Sequence, residues 1–149
     1  MPARWPETNG AGTHPFTPGR YILKPVWEHA SLGMGDDAVV DVETREELAA
    51  LLAAFGERSG RSCFAEAFVD GREFNLSLLA DGNGGVDLMP HAEIEFVEYP
   101  AGKPRIVSWA AKWVEGSFEY DHTPRTFDFV PEDAPLLAEL GRLARACWP

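Results

Sequence analysis

The chain has 149 residues, 45% of them hydrophobic and 25% charged, the length and balance of one globular domain rather than a disordered segment. Its formal net charge of -11 sets the surface against a nucleic-acid backbone or an anionic membrane, both of which select basic partners. No run reaches the ~18 apolar residues of a membrane span and no charged-then-apolar signal peptide opens the sequence, so a cytoplasmic location is expected.

Residues 1–19 read as a poorly ordered leader, because Pro2, Pro6, Pro15, Pro18, Gly10 and Gly12 deny it regular structure of any length. Tyr21-Ile22-Leu23 is a short buried strand, with Lys24 at its end and Pro25 unable to extend the ladder. The Glu28–Gly35 loop carries Ser31, Gly33 and Gly35, small residues that let backbone N–H groups approach an anion. Ala38–Val42 is a second strand. Thr44 with Glu47 forms a capping box for a helix running to about Phe55, with Leu48, Leu51, Leu52 and Phe55 on one apolar face and Gly56 or Gly60 ending it.

Arg61–Val69 reads as a central strand interrupted by Glu66, and Asp70-Gly71 as the turn of a hairpin into an alternating strand from Arg72 to Ala80. That hairpin brings Glu66 and Glu73 to one end of a sheet. Val86–Pro90 and Ala92–Phe96 extend an antiparallel sheet after an Asp81–Gly85 turn. Arg105–Trp109 continues as a further apolar segment carrying Lys112 beyond it, and Val114–Phe129 is a polar, aromatic loop. A last helix starts at Asp133-Ala134-Pro135 and buries Leu136, Leu137, Leu140, Leu143, Ala144 and Cys147. Cys63 and Cys147 fit no zinc or redox spacing and read as buried, reduced thiols. The histidines lack ligand spacing, and Trp109, Trp113, Phe118 and Tyr120 read as packing residues.

Lys24 and Lys112, with Glu66 and Glu73, are therefore charged groups borne on apolar segments. A carboxylate inside a strand such as that of Glu66 faces a ligand or pairs with Lys24 or Lys112 as a structural salt bridge.

Lys24-Pro25 followed by Glu28-His29-Ala30-Ser31-Leu32-Gly33-Met34 resembles the lysine, proline and Glu-Gly-Ser-Ser-x-Gly-Met loop of D-alanine–D-alanine ligases, members of the ATP-grasp superfamily. Glu66–Phe74 resembles their adenosine-binding segment, and Pro90–Ile94, Ala111-Lys112-Trp113 and Thr123-Pro124 continue the likeness in order, over about Tyr21 to Trp148. The resemblance implies an α+β fold, a partial ATP-grasp domain over residues 20–149 with a mostly antiparallel sheet and two principal helices. It implies an ATP-dependent carboxylate–amine ligase working through an acylphosphate, with small-molecule carboxylate and amine substrates.

By the same resemblance Lys24 and Lys112 contact the ATP phosphates, and the loop of Glu28, Ser31 and Gly33 closes over them, which makes Lys24, Lys112 and Ser31 the expected catalytic residues. Glu66 meets the adenine edge beside the backbone of Ala67, Phe68 and Val69, and Glu73 accepts from the ribose hydroxyls. Mg²⁺ is implied as cofactor, its ligands lying outside this chain, so a partner segment or second chain is expected to complete the domain. His29-Ala30 replaces the Gly-Ser of the ligase loop, so the substrates are expected to differ from paired D-alanine. The alternative is a nucleotide-binding remnant or interaction module without turnover.

Overall fold

The computed structural model describes residues 4–5 and 16–148 of the chain, an α+β protein in which every strand pairing among the described residues is antiparallel. The chain divides into two compact units, one from the stretch up to Gly71 together with Glu98–His122, the other from Arg72–Val97 together with Thr123 onward. Among the described residues no helix is long and apolar enough to cross a membrane.

The first unit holds a four-stranded sheet in the order β1 (Arg4–Trp5), β4 (Cys63–Ala67), β2 (Gly19–Pro25), β3 (Val39–Val42). Alternation along β2 sends Tyr21 and Leu23 to one face, where they join Val42, Ala65 and the helix residues Leu48, Leu52 and Phe55 in the core. Helix α1 (Arg45–Ser59) begins where expected: Thr44 accepts from the Glu47 amide, while the Glu47 carboxylate accepts from the Glu43 amide. It runs a full turn past Phe55, because Gly56 stays helical and Gly60, at φ 65°, supplies the left-handed cap.

Several expectations are corrected here. Within the 1–19 stretch Arg4–Trp5 pairs with Ala65–Glu66, and β2 starts at Gly19. Phe16 stacks on Tyr21 with centroids 5.9 Å apart, and the Tyr21 hydroxyl donates to the Thr17 carbonyl at 2.9 Å. The rest of the expected leader lies outside the described residues. Pro25 does not end the ladder; it stands opposite Cys63 as the last residue of β2, where its missing N–H interrupts nothing, and the Val26 amide donates to the Ser62 carbonyl.

The 66–73 hairpin does not form. Beyond Ala67 the Phe68 amide still donates to the Arg20 carbonyl, but β5 (Glu73–Asn75) belongs to another sheet and to the second unit. The run from Arg72 to Ala80 splits into β5 and β6 (Leu78–Ala80), each taking a different partner: β8 (Ala92–Ile94) and β7 (Val86–Leu88) respectively. The Asp81–Gly85 turn is present, with the Asp81 carboxylate accepting from the Asn83 and Gly85 amides. Arg105–Val107 joins no strand; the chain runs extended into a short helix α2 (Trp109–Trp113), capped by the Ser108 hydroxyl. The polar stretch after it holds α3 (Phe118–Asp121) and β9 (Arg125–Thr126), which completes the order β5-β8-β9.

In the second unit α4 (Ala134–Ala146) follows a single 3₁₀ turn at Pro131–Asp133. Its packed stripe is Leu137, Leu140, Gly141 and Ala144, the i, i+3, i+4, i+7 set, rather than the wider face read from the sequence. Leu136, Leu143 and Cys147 fall outside that stripe and are exposed. Gly141 is what the stripe turns on, since a Cβ there would meet the Leu88 side chain at 3.0 Å. Cys63, the other thiol, is half-buried.

Candidate functional site

On β2 and β4 the residues facing away from α1 are Arg20, Ile22, Lys24, Phe64 and Glu66, given that Ile22 stands opposite Glu66 and Lys24 opposite Phe64. Lys24 and Glu66 are diagonal neighbours, and the lysine ammonium donates to Glu66 Oε2 at 2.7 Å. Glu66 is one of two buried polar residues among those described. Of the two roles open to Glu66 in the sequence, the salt bridge to Lys24 is present.

Beyond Pro25 the chain leaves the sheet through exposed Trp27 and enters the glycine-bearing loop. Ala30 and Ser31 both adopt left-handed backbone, at φ 59° and 61°, which for side-chain-bearing residues costs about 1–2 kcal/mol each. Three bonds to the segment leading into and through α2 hold this geometry. Ser31 Oγ donates to the Val107 carbonyl at 2.6 Å, the Trp109 amide to the Met34 carbonyl at 3.0 Å, and Trp113 Nε1 to the Ala30 carbonyl at 3.2 Å. Gly33, at φ 74°, completes the reversal. Glu28 pairs with Arg61 at 2.6 Å.

The loop and α2 therefore form one element, and Lys112 on α2 is exposed. It rides on a helix, not on the strand-like segment expected, because the Ser108 hydroxyl starts a helical turn there. Ala67 ends β4, Phe68 gives its amide to the sheet, and Val69 is exposed. Glu73 lies in β5 of the second unit, half-buried and opposite Ile94. The structure thus brings Lys24 to Glu66 and joins the loop to the helix of Lys112, while Glu73 belongs to a different compact unit.

One group went unread in the sequence. Lys103, in the turn between Pro100 and Pro104, donates at 2.6 Å to both Asp36 and Glu119 and lies 5.9 Å from the ring centroids of Tyr99 and Phe118. Its signal was a lysine fixed between two prolines; the partners are distant in sequence and carried no pattern. Burial opposes the charge on Lys103, but the two carboxylates outweigh it and raise the pKa. The Lys103 bond holds the Glu119 carboxyl below its ordinary range, and burial, then the Glu119 charge, pushes the Tyr99 phenol up. The Asp36–Glu119 cluster borders a cleft of about 620 Å³ between the Leu32–Asp37 loop and Ser108–Ala110. Trp109, Trp113 and Tyr120 in this region are exposed rather than buried, and Trp109 and Trp113 lie 5.8 Å apart.

A pH dependence follows from these shifts. Glu119, and likewise Asp41 beside Arg20 and Asp133 beside Arg72, have folded-state pKa values below the ordinary one. Their contribution is complete above the unfolded value of ~4 and is lost as pH falls through the lowered folded values. Lys103 works in the opposite sense, its contribution complete below ~10.4 and lost as pH climbs past its raised value. Urea midpoints measured across pH should therefore be level near neutrality and fall at both ends, with Lys103→Met flattening the alkaline limb.

Among the described residues no three His, Cys, Asp or Glu side chains group as metal ligands. Comparison with protein-family models gives no match, and comparison with curated proteins gives none either.

Proposed function

We propose that this chain carries the nucleotide-binding part of an ATP-dependent carboxylate–amine ligase of the ATP-grasp kind, acting in the cytoplasm. The likeness of four motifs in register to D-alanine–D-alanine ligases supports it, and so does one structural observation: the Ser31–Gly33 loop is bonded directly to the segment bearing Lys112. A loop so fixed leaves little ordering to occur on binding, although its Leu32 and Met34 amides already donate to the His29 and Ser31 carbonyls.

In this reading the ammonium groups of Lys24 and Lys112 neutralise phosphate oxygens of ATP, Lys24 staying oriented by Glu66. A substrate carboxylate attacks the γ-phosphorus and ADP leaves; an amine then attacks the acyl carbon of the acylphosphate, and phosphate departs as the amide forms. The protein's part is positioning and charge neutralisation. The described residues form no clustered carboxylate set for Mg²⁺, so no step is assigned to a metal held by this chain. A module that binds nucleotide without turnover is the second reading, favoured by the commitment of Lys24 to Glu66 and of the Ser31 hydroxyl to Val107.

Calorimetric titration with ATP, with and without Mg²⁺, tests the assignment. Lys112→Ala should weaken binding by about tenfold, since it removes one charged contact of about 1.4 kcal/mol. Unchanged ATP affinity in this variant discards the site. Release of phosphate on adding carboxylates and amines separates the ligase from the silent module.

A further inference from the structure

We infer that the cleft between the Leu32–Asp37 loop and the start of α2 binds an apolar organic cation, an aryl- or alkylammonium. The inference uses neither Lys24 nor Lys112, although Gly33 of the loop assigned to the nucleotide also lines this cleft. At about 620 Å³ the cleft has the size of a small-molecule site. Leu32, Met34 and Trp109 give it apolar walls, and every charged side chain lining it is a carboxylate: Asp36, Asp37 and Glu119. Two cations stand behind these acids, Lys103 on Asp36 and Glu119, and Arg58 on Asp37 at 2.5 Å. Those cations do not line the cleft, so the charged groups on its wall are the three acids alone.

That lining discriminates between ligands. An anion meets like charge on an apolar wall. A neutral apolar molecule covers the carboxylates without offering them a donor, which is costly. An ammonium on a hydrocarbon body satisfies both halves, its charge at the acids and its body on Met34 and Trp109. The Trp109 ring is partly open to the cleft region, and its face attracts cations. The walls are held in place beforehand, because the Trp109 amide bonds to the Met34 carbonyl and Ser31 Oγ to that of Val107. The net charge of -11 draws cations toward the protein as a whole.

Three probes of matched size test the inference on the full chain by calorimetry: phenylethylammonium, 2-phenylethanol and 3-phenylpropanoate. The ammonium should bind saturably, about tenfold tighter than the alcohol, and the carboxylate should give no binding at about 10 mM. Trp109→Ala should weaken the ammonium by about tenfold, and Asp36→Asn, which removes one of the three lining acids, by a similar factor. Should Trp109→Ala fail to fold, the wild-type Trp109 indole N–H resonance decides: it should shift and saturate with added phenylethylammonium. No saturable binding of the ammonium, equal binding of 3-phenylpropanoate, or binding that leaves the Trp109 resonance unmoved overturns the inference.

Discussion

Lys24→Met should destabilise the protein by about 2 kcal/mol, and by more than the double variant Lys24→Met/Glu66→Leu. Taking away one member of a buried pair removes an opposite charge facing the other, which typically costs up to about 3–5 kcal/mol, whereas replacing both by apolar groups is often close to neutral. The figure is set lower because the Lys24 side chain is 35% exposed and water partly screens it, although that of Glu66 is only 8% exposed. Glu66→Gln should cost less than Lys24→Met, since it removes the charge that needs a partner. Urea denaturation of the wild type, Lys24→Met, Glu66→Leu and the double variant forms a complete cycle. If the double variant loses the sum of the single losses, the two side chains do not act as a unit.

Arg72→Lys should loosen the second unit and leave the first unaffected. The guanidinium donates through Nε and Nη2 to the Glu93 carboxylate at 2.7 and 2.6 Å, and through Nη1 and Nη2 to Asp133 at 2.5 and 3.0 Å. It also stacks on Phe74, 5.0 Å from the ring centroid. One planar fork thus ties the approach to β5 to β8 and to the entry of α4, and its pKa is driven further up by Glu93 and then Asp133. A lysine has no second edge and serves one carboxylate at a time. Amide hydrogen exchange should therefore show β5, β8 and the first turn of α4 losing protection while β2 and β4 keep theirs. Equal loss in both units, or in neither, refutes the assignment.

Local chemistry made part of this fold legible in the sequence. Thr44 with Glu47 fixed the start of α1 and Asp81 with three following glycines the β6–β7 turn, each through bonds spanning a few residues, while Pro135 in the first turn marked the start of α4 without a side-chain cap. What failed depends on partners distant in the chain. Asp70-Gly71 has the composition of a hairpin turn, yet Phe68 stays with Arg20 and Glu73 goes to Ile94. Arg105–Trp109 has the apolar content of a strand, but Ser108 caps a helix instead. Of the expected site, the Lys24–Glu66 contact was one of the alternatives open in the sequence, because a carboxylate inside an apolar strand needs either a ligand or a cation. Lys103 was not, because its value comes from Asp36 and Glu119, 67 and 16 residues away.

Both compact units are discontinuous in sequence: the chain leaves the first at Gly71, returns to it at Glu98, and departs again after His122. During synthesis, then, the first unit has no complete set of contacts until α3 has emerged from the ribosome. The growing chain must hold β2–β4 and α1 half-assembled while part of the second unit is made, a topology that slows folding and leaves apolar surface open in the interval. Excision at Gly71 would remove α2 and the bonds that restrain Ala30 and Ser31, so neither unit can be obtained by a single cut. Joining the two pieces of each unit directly, 1–71 to 98–122 and 72–97 to 123–149, is the route to testing them apart.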